Sequence, residues 1–219
     1  MANHVTTIIH IQGNPDMINW LKSKLDDVEI TDNVFHEMSS EQTAKLFYEN
    51  EFQNTYEWML ENVGAKWCYI NEWNKYDDTE LHITITSAWS FPEPLVEKMF
   101  YVCQDVDDDC VLRITYEDEA LDPIGAMYIS KNGSHIEEGS YTWPVLEDYE
   151  TEAEYENAVD FMWEEIGDLK DDLLAICEEI TEEDEEDEDE GSDIYTQEDF
   201  ESLRDWDATL MDGLDDEDF

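Results

Sequence analysis

The chain has 219 residues, and its 61 Asp and Glu side chains against 10 Lys and Arg give a formal net charge of -51. A hydrophobic content of 41%, with 8 Trp, 11 Tyr and 8 Phe residues, excludes wholesale disorder and supplies enough apolar side chains for a core. The start does not resemble a signal peptide and the apolar runs are too short to span a membrane, so the sequence predicts a soluble cytoplasmic protein.

Strands and helices alternate in the first part of the chain. VTTIIHI (5–11) has the β-branched composition of a strand, and Asn14-Pro15-Asp16 then supplies an N-cap, a proline at the first helical position and a first-turn acid. Residues 31–62 are predicted to be helical with loops, with Trp58 and Met59 in the core. KWCYINEW (66–73) and ELHITITSAW (80–89) predict an antiparallel hairpin.

A second helix and two more strands complete the pattern. Prolines at 92 and 94 open the helix, CVLRITYE (110–117) predicts the next strand, and GAMYIS (125–130) predicts an added edge strand. The order β-α-β-β-α-β is that of a ferredoxin-like α+β sandwich, with the long segment inserted after the first helix. The sequence therefore predicts a ferredoxin-like antiparallel sheet with helices over residues 1–134.

Four short motifs lie within this predicted domain: NVGAKW (62–67), TSAWSFP (86–92), YEDE (116–119) and Gly125. In order and spacing they resemble the YubB-type ferredoxin-like domain of phage and plasmid proteins. The chain has Val63-Gly64-Ala65 where that family has Trp-Gly-Thr, and Phe91 where Pro is usual. The resemblance covers about residues 1–134. It implies a ferredoxin-like fold and a phage or mobile-element origin, and the family has no established chemistry.

Negative charge is concentrated in the last two-fifths of the chain. Residues 1–134 hold 25 acidic and 8 basic residues, whereas residues 135–219 hold 36 acidic and 2 basic ones. This asymmetry predicts a globular domain followed by a separate acidic part. We divide that part into an acidic amphipathic helical region (135–180), an acidic linker (181–192) and an acidic tail with a short amphipathic helix (193–219).

One long helix is predicted in the acidic helical region. Apolar residues recur there at alternating spacings of four and three, which is the period of a helix seam: Tyr155, Val159, Met162, Ile166, Leu169, Leu173, Ile176 and Ile180. The seam fits a coiled-coil partner, the N-terminal sheet, or the equivalent helix of a second copy in a homodimer.

Acidic residues follow the other face of the same helix. At about 1.5 Å rise per residue, carboxylates three or four positions apart lie roughly 5 to 6 Å apart along the axis, and a DNA strand places a phosphate about every 3.4 Å. Two neighbouring columns of acids thus approach the charge density of one phosphate backbone. The predicted partner-binding residues are Asp160, Glu164, Glu165, Asp168, Asp171, Asp172 and Glu178.

The charge run at 181–192 and the tail after it differ from each other. The run cannot bury apolar area, so it is expected to be solvated and poorly ordered. In the tail, Thr196 begins an amphipathic stripe that fits either docking on the chain's own domain or binding a partner. The stripe consists of Phe200, Leu203, Trp206, Leu210 and Leu214.

The sequence lacks the known motifs of catalytic, phosphate-binding and metal-binding sites. It has no Gly-rich phosphate loop, zinc spacing or nucleophile elbow, and the stretch from Asp105 to Tyr116 lacks the Gly and Glu of a calcium loop. The five histidines form no ligand spacing, and His10 and His82 fit structural roles on strands. The four cysteines form no Cys-x-x-Cys pair and are expected to be reduced and mostly buried. We therefore predict no catalytic residue, metal or cofactor, and no enzyme.

The leading functional hypothesis is a phage or mobile-element DNA mimic. It would bind a basic nucleic-acid-binding protein of the host cytoplasm, such as a nuclease, restriction enzyme or CRISPR complex, and inhibit it. Direct nucleic-acid binding is disfavoured because the negative surface repels phosphate. An acidic adaptor or chaperone for basic proteins is the main alternative.

Two other function classes fit the sequence less well. A halophile's solvation strategy predicts acids spread evenly along the chain, and here they concentrate after residue 135. A hidden enzyme would lack a nucleophile paired with a base, although a pocket is conceivable between Lys66, Trp67, Trp89 and Glu117.

Overall fold

The computed structural model describes residues 3–27, 38–149 and 151–190 of the chain. The chain divides into two compact units, Met1–Glu183 and Asp184–Phe219. The first unit contains the sheet and its helices. Most of the second unit, including the amphipathic stripe predicted in the tail, lies outside the described residues.

The elements of the described part follow one another in this order: β1 (His4–Gln12), α1 (Pro15–Asp26), α2 (Ser40–Tyr48), α3 (Tyr56–Asn62), β2 (Cys68–Lys75), β3 (Glu80–Ala88), α4 (Glu93–Gln104), β4 (Val111–Asp118), β5 (Ile124–Ser130), β6 (Gly133–Gly139) and α5 (Glu152–Glu190), with short 3-10 turns at Glu49–Glu51 and Leu146–Asp148.

The strands form one six-stranded sheet in the order β2-β3-β1-β4-β5-β6, and every neighbouring pair is antiparallel. Its first four strands have the order of the predicted ferredoxin-like sandwich, so the α+β fold class is confirmed. The pairing of β2 with β3 contains a bulge between Ile70 and Glu72.

Strand β6 was not predicted. We expected residues 125–130 to form an edge strand, but β6 pairs along the whole of β5 and makes β5 an interior strand. The turn between them is Lys131-Asn132, followed by Gly133 at a φ of 140°. Few residues of β6 are apolar, so its sequence lacks the alternation that identifies a strand. The sheet therefore continues past residue 134, where we placed the domain boundary.

One face of the sheet, here called the first face, carries α1 and α4. Helix α1 begins as predicted, because the Asn14 side chain accepts a hydrogen bond from the Met17 N–H at 2.9 Å and Pro15 occupies the first turn. Apolar side chains of both helices and of the strands form a continuous core on this face. Its members include Ile9, Ile11, Leu21, Leu25, Ile83, Ile85, Met99, Leu112 and Ile114.

The described part of the inserted segment packs against the same core. Ser39 and Gln42 form a capping box at the start of α2. Trp58 and Met59 on α3 are buried, as predicted, and the Trp58 ring makes edge contacts with the rings of Tyr48 and Phe52. This segment therefore thickens the first face without adding a strand to the sheet.

The opposite face, here called the second face, carries α5. This helix runs along β5 in the same direction: its first turns pack on Ile124 and its later turns on Ala126 and Tyr128. Of the partners that the seam allowed, the structure uses the chain's own sheet. The second face of β1 and β3 carries mainly polar side chains, such as Thr6, His10, His82 and Thr84, together with the partly exposed Ile8.

Helix α5 extends to Glu190, into the segment predicted as a poorly ordered linker. Turns up to the buried Thr181 are held by the sheet, and the Thr181 hydroxyl donates to the Cys177 carbonyl at 2.8 Å. Once a helix is nucleated, each further residue adds one backbone hydrogen bond, and Glu has a good helix propensity. The linker prediction considered the lack of apolar area in the run by itself, and not the continuation of a helix that the sheet already holds.

In the part of the chain that the structure describes, no helix combines the length and the apolar character needed to cross a membrane.

Candidate functional site: the acidic face of helix α5

Helix α5 is attached to the sheet by two small apolar clusters. The first contains Met162 and Ile166 against Leu121 and Ile124. The second contains Leu173 and Cys177 against Ala126 and Tyr128. These contacts fix which side of the helix faces solvent.

Two ion pairs flank the apolar contacts. The Lys170 ammonium donates to the Glu117 carboxylate on β4, and the Arg113 guanidinium pairs with Glu178 at 2.5 Å. Arg113 also donates to the Gln12 side chain and lies with its Cζ 5.7 Å from the centre of the Tyr128 ring. Both pairs join α5 to β4 and so help to fix the orientation of α5 on the sheet.

The structure divides the seven predicted binding residues into two groups. Five are exposed, and no ion pair involves them within the described ranges. We call these five the outer acidic row: Asp160, Glu164, Asp168, Asp171 and Asp172. The other two have partners inside the chain, because Glu165 accepts a hydrogen bond from the Tyr141 hydroxyl and Glu178 pairs with Arg113. The hydrogen bond to Glu165 also raises the pKa of Tyr141.

The predicted seam is correct except near its C-terminal end. Ile176 is 42% exposed, and the neighbouring Cys177 is fully buried in its place. The buried positions recur at spacings of four, seven, four and four residues from 162 to 181, where seven residues span two turns. The 19 residues thus cover five turns at about 3.8 residues each, slightly more than the 3.6 of an ideal helix. The buried stripe therefore drifts around the helix, because the surface beneath it is a twisted sheet. The same drift moves Glu178 toward Arg113.

Exposed aromatic rings, which were not among the predicted binding residues, border the outer acidic row. Trp163 and Phe161 lie on either side of the buried Met162, and both rings are largely exposed. The Trp163 ring makes an edge contact with the ring of Trp143, with 5.7 Å between centroids. The sequence does contain a sign of them, because Phe161 and Trp163 are bulky apolar residues that belong neither to the seam nor to the acidic face.

The four residues considered for an enzyme pocket do not form one. Lys66, Trp67 and Trp89 come together on the surface: the Lys66 ammonium lies 4.5 Å from the Trp67 ring centre and 5.4 Å from that of Trp89. Trp89 is 52% exposed and has a φ of 73°, which is rare for a bulky residue. Glu117 instead pairs with Lys170 beneath α5.

Two of the predicted structural histidines meet on the part of the second face that α5 leaves uncovered. His10 on β1 is directly opposite His82 on β3, and their ring centres lie 3.9 Å apart. Glu80 precedes His82 by two residues and therefore points to the same face. Sequence spacing did not reveal this group because the register between β1 and β3 is not encoded locally.

Comparisons with known proteins show little. No protein-family model matches the chain, and no curated protein matches it. Among solved structures, the crystal structure of a protein api92 from Yersinia pseudotuberculosis, described by the family model DUF1281, is similar at a TM-score of 0.31 and 18% identity. The match covers 43% of this chain and 33% of the solved one, so the chain spans about a third of the length of that protein.

Proposed function

We propose that this protein is a DNA mimic whose outer acidic row occupies the nucleic-acid-binding site of a basic partner protein and blocks it. The observation that supports the proposal is the row itself: five exposed carboxylates on a helix whose other side is packed on a sheet. We place the protein, as part of the same proposal, among phage or mobile-element factors that act on host defence enzymes in the cytoplasm.

Pre-organisation is the physical basis of this proposal. Lys and Arg side chains that normally hold phosphates can pair with carboxylates kept at helical spacing. A helix anchored by Met162, Ile166, Leu173 and Cys177 has already lost its backbone entropy, so binding does not have to overcome that cost. The large net negative charge would also accelerate encounter with a basic surface.

An acidic adaptor or chaperone for basic proteins is the second candidate. The exposed rings of Phe161 and Trp163 favour it, because large aromatic side chains contribute strongly to protein interfaces and a phosphate mimic has no need of them. Both candidates use the same surface. They differ in whether the partner loses its DNA-binding activity.

The test measures DNA cleavage by a panel of purified nucleases, restriction enzymes and a CRISPR effector, with and without the full chain. We expect inhibition of at least one enzyme, competition by added duplex DNA, and a steep loss of affinity as salt is raised. Charge reversal of Asp160, Glu164, Asp168 and Asp171 to Lys should abolish the inhibition. The matched control reverses four exposed acids outside α5, namely Glu57, Glu61, Asp105 and Asp108.

Three results would count against the mechanism. Equal loss of inhibition in the two reversal variants would mean that total charge acts, and not the row. Retained inhibition after reversal, with loss on deletion of residues 193–219 or 181–192, would make the tail or the charge run the binding element. Binding that leaves the DNA cleavage of the partner intact would support the adaptor.

A further inference from the structure

The uncovered part of the second face brings three potential metal ligands together. His10 and His82 are register partners on adjacent strands, and Glu80 lies beside them on the same face. The Glu80 carboxylate is 2.7 Å from Nε2 of His82 and 3.5 Å from Nδ1 of His10. One donor atom from each residue can be chosen so that all three lie within 4.8 Å of one another.

We propose that His10, His82 and Glu80 form a binding site for a divalent transition-metal ion of the zinc class. Two imidazoles and one carboxylate are a donor set that zinc uses in sites with an open coordination position. Around a tetrahedral zinc the ligand atoms lie about 3.4 Å apart. The distance between Glu80 and His10 already matches this spacing, and that between Glu80 and His82 is shorter, so small side-chain adjustments complete the set. Solvent would fill the remaining position, because all three side chains are only partly buried.

The surroundings favour a neutral imidazole at His10 and a defined orientation of the ring at His82. Partial burial lowers the pKa of His10, and the neighbouring His82 and Arg113 lower it further, while Glu80 opposes this shift. Neutral imidazole is the form that binds metal. The ring of Tyr76 stacks on that of His82 with 5.5 Å between centres and planes within 3° of parallel. That contact packs on one side of the His82 ring and favours its present orientation.

Arg113, a cation whose charge acts on His10, makes its ion pair outside the group. Arg113 on β4 is the register partner of His10, and its guanidinium is engaged by Glu178 and Gln12. The site therefore has its carboxylate available for a metal, and it is separate from the outer acidic row on the solvent side of α5. The metal proposal does not depend on the proposed DNA mimicry.

Calorimetric titration of the full chain with Zn²⁺ tests the site. Excess Mg²⁺ is present throughout to saturate the many scattered carboxylates, which bind hard cations without imidazole. We expect one Zn²⁺ site per chain. The changes His10→Asn, His82→Asn and Glu80→Gln each remove a direct ligand. Because loss of a residue that only supports a ligand already weakens metal affinity roughly 10- to 100-fold, each change should weaken Zn²⁺ affinity by at least that much.

A matched control is available on β6. There His135 contacts Glu137 at 2.8 Å, and the two residues are two positions apart, as Glu80 and His82 are. This control pair has one imidazole, whereas the proposed site has two. His135→Asn should leave Zn²⁺ binding unchanged. Unfolding of an Asn variant is excluded by circular dichroism, and NMR of the wild-type chain gives a second measurement, since Zn²⁺ should shift the imidazole signals of His10 and His82 but not that of His135.

The proposal is overturned if no stoichiometric site survives in Mg²⁺, if all four variants bind alike, or if Zn²⁺ leaves the His10 and His82 signals in place.

Discussion

The two faces of the sheet are built on different principles. The first face carries a continuous apolar core shared by α1, α4 and the inserted helices. The second face carries two clusters of four buried side chains each, together with two ion pairs, all beneath α5. Packing on the first face is therefore broad and hydrophobic, whereas α5 is held by a narrow line of contacts.

This difference shows how a chain of net charge -51 can still fold. An unpaired charge in an apolar core is costly, so a strongly acidic sequence needs a region where acids stay in water. Helix α5, which contacts the sheet along one narrow line, supplies that region. The outer acidic row destabilises the sheet little, because repulsion among its members acts in solvent and is screened by salt.

The largest expected effect is a difference in unfolding free energy between substitutions on the two faces of strand β1. Ile9 is fully buried on the first face, and its neighbour Ile8 points to the second face and is partly exposed. We expect Ile9→Ala to lower the free energy of unfolding by about 2–5 kcal/mol, and Ile8→Ala by about 1 kcal/mol or less. Urea unfolding followed by tryptophan fluorescence measures both. Equal losses would show that the faces are packed alike.

A charge placed in the seam should release α5 without unfolding the first face. Ile166 is buried, so Ile166→Asp should cost about 2–4 kcal/mol of docking free energy, and Ile176→Asp on the exposed side should cost far less. Hydrogen exchange should become fast in α5 and stay slow in β1 and β3. Wild-type melting of both variants would mean that the stripe is not packed.

Three of the four cysteines allow the same contrast to be measured by thiol labelling. Cys177 lies beneath α5, whereas Cys68 and Cys103 lie in the core of the first face. Burial raises the pKa of all three thiols, that of Cys177 to about 11, so reagents reach them only through opening.

Local opening of α5 should label Cys177 at least about tenfold faster than the other two, the ratio that corresponds to 1.4 kcal/mol in opening free energy. Mass spectrometry of peptides from partly labelled protein gives the order. Simultaneous labelling would mean that α5 opens only with the whole domain.

The smallest effect concerns the ion pair between Lys170 and Glu117. Both side chains are mostly shielded, so Lys170→Met should lower the free energy of unfolding by about 0.5–1 kcal/mol. The control Lys22→Met removes an exposed pair with Asp26 on α1 and should have no measurable effect. Thermal unfolding of the two variants compares them. A larger loss for Lys22→Met would contradict the view that α5 is held partly by charge.

Local signals were enough to predict most of the fold. Period-two runs predicted β1 to β5, and the Asn14-Pro15 start and the two prolines at the beginning of α4 predicted the helix positions. Such features depend on a few neighbouring residues, which the sequence shows directly. Strand β6 was not predicted because its sequence has little alternation of apolar and polar residues, and its pairing with β5 stabilises it as a strand.

Side-chain neighbours across the fold were harder to predict. The meeting of His10 with His82 depends on strand register, and the pairing of Glu178 with Arg113 depends on how α5 lies on a twisted sheet. Both relations join residues that are far apart in the chain, 65 positions in the case of Arg113 and Glu178. The acidic face was predictable as a pattern, but which acids remain without partners was not.

Strand β6 also determines how the sheet ends. An exposed edge strand offers free backbone groups to a neighbouring molecule, and natural sheets discourage such strand addition with charge. The edge of β6 carries Glu137 and Glu138, of which Glu138 already accepts a hydrogen bond from the Tyr116 hydroxyl at 2.6 Å. Two copies joined through β6 would bring these carboxylates close together, and glycines at both ends of the strand weaken the pairing further. The acidity that we propose as the basis of partner binding at α5 thus also protects this edge of the sheet from self-association at high protein concentration.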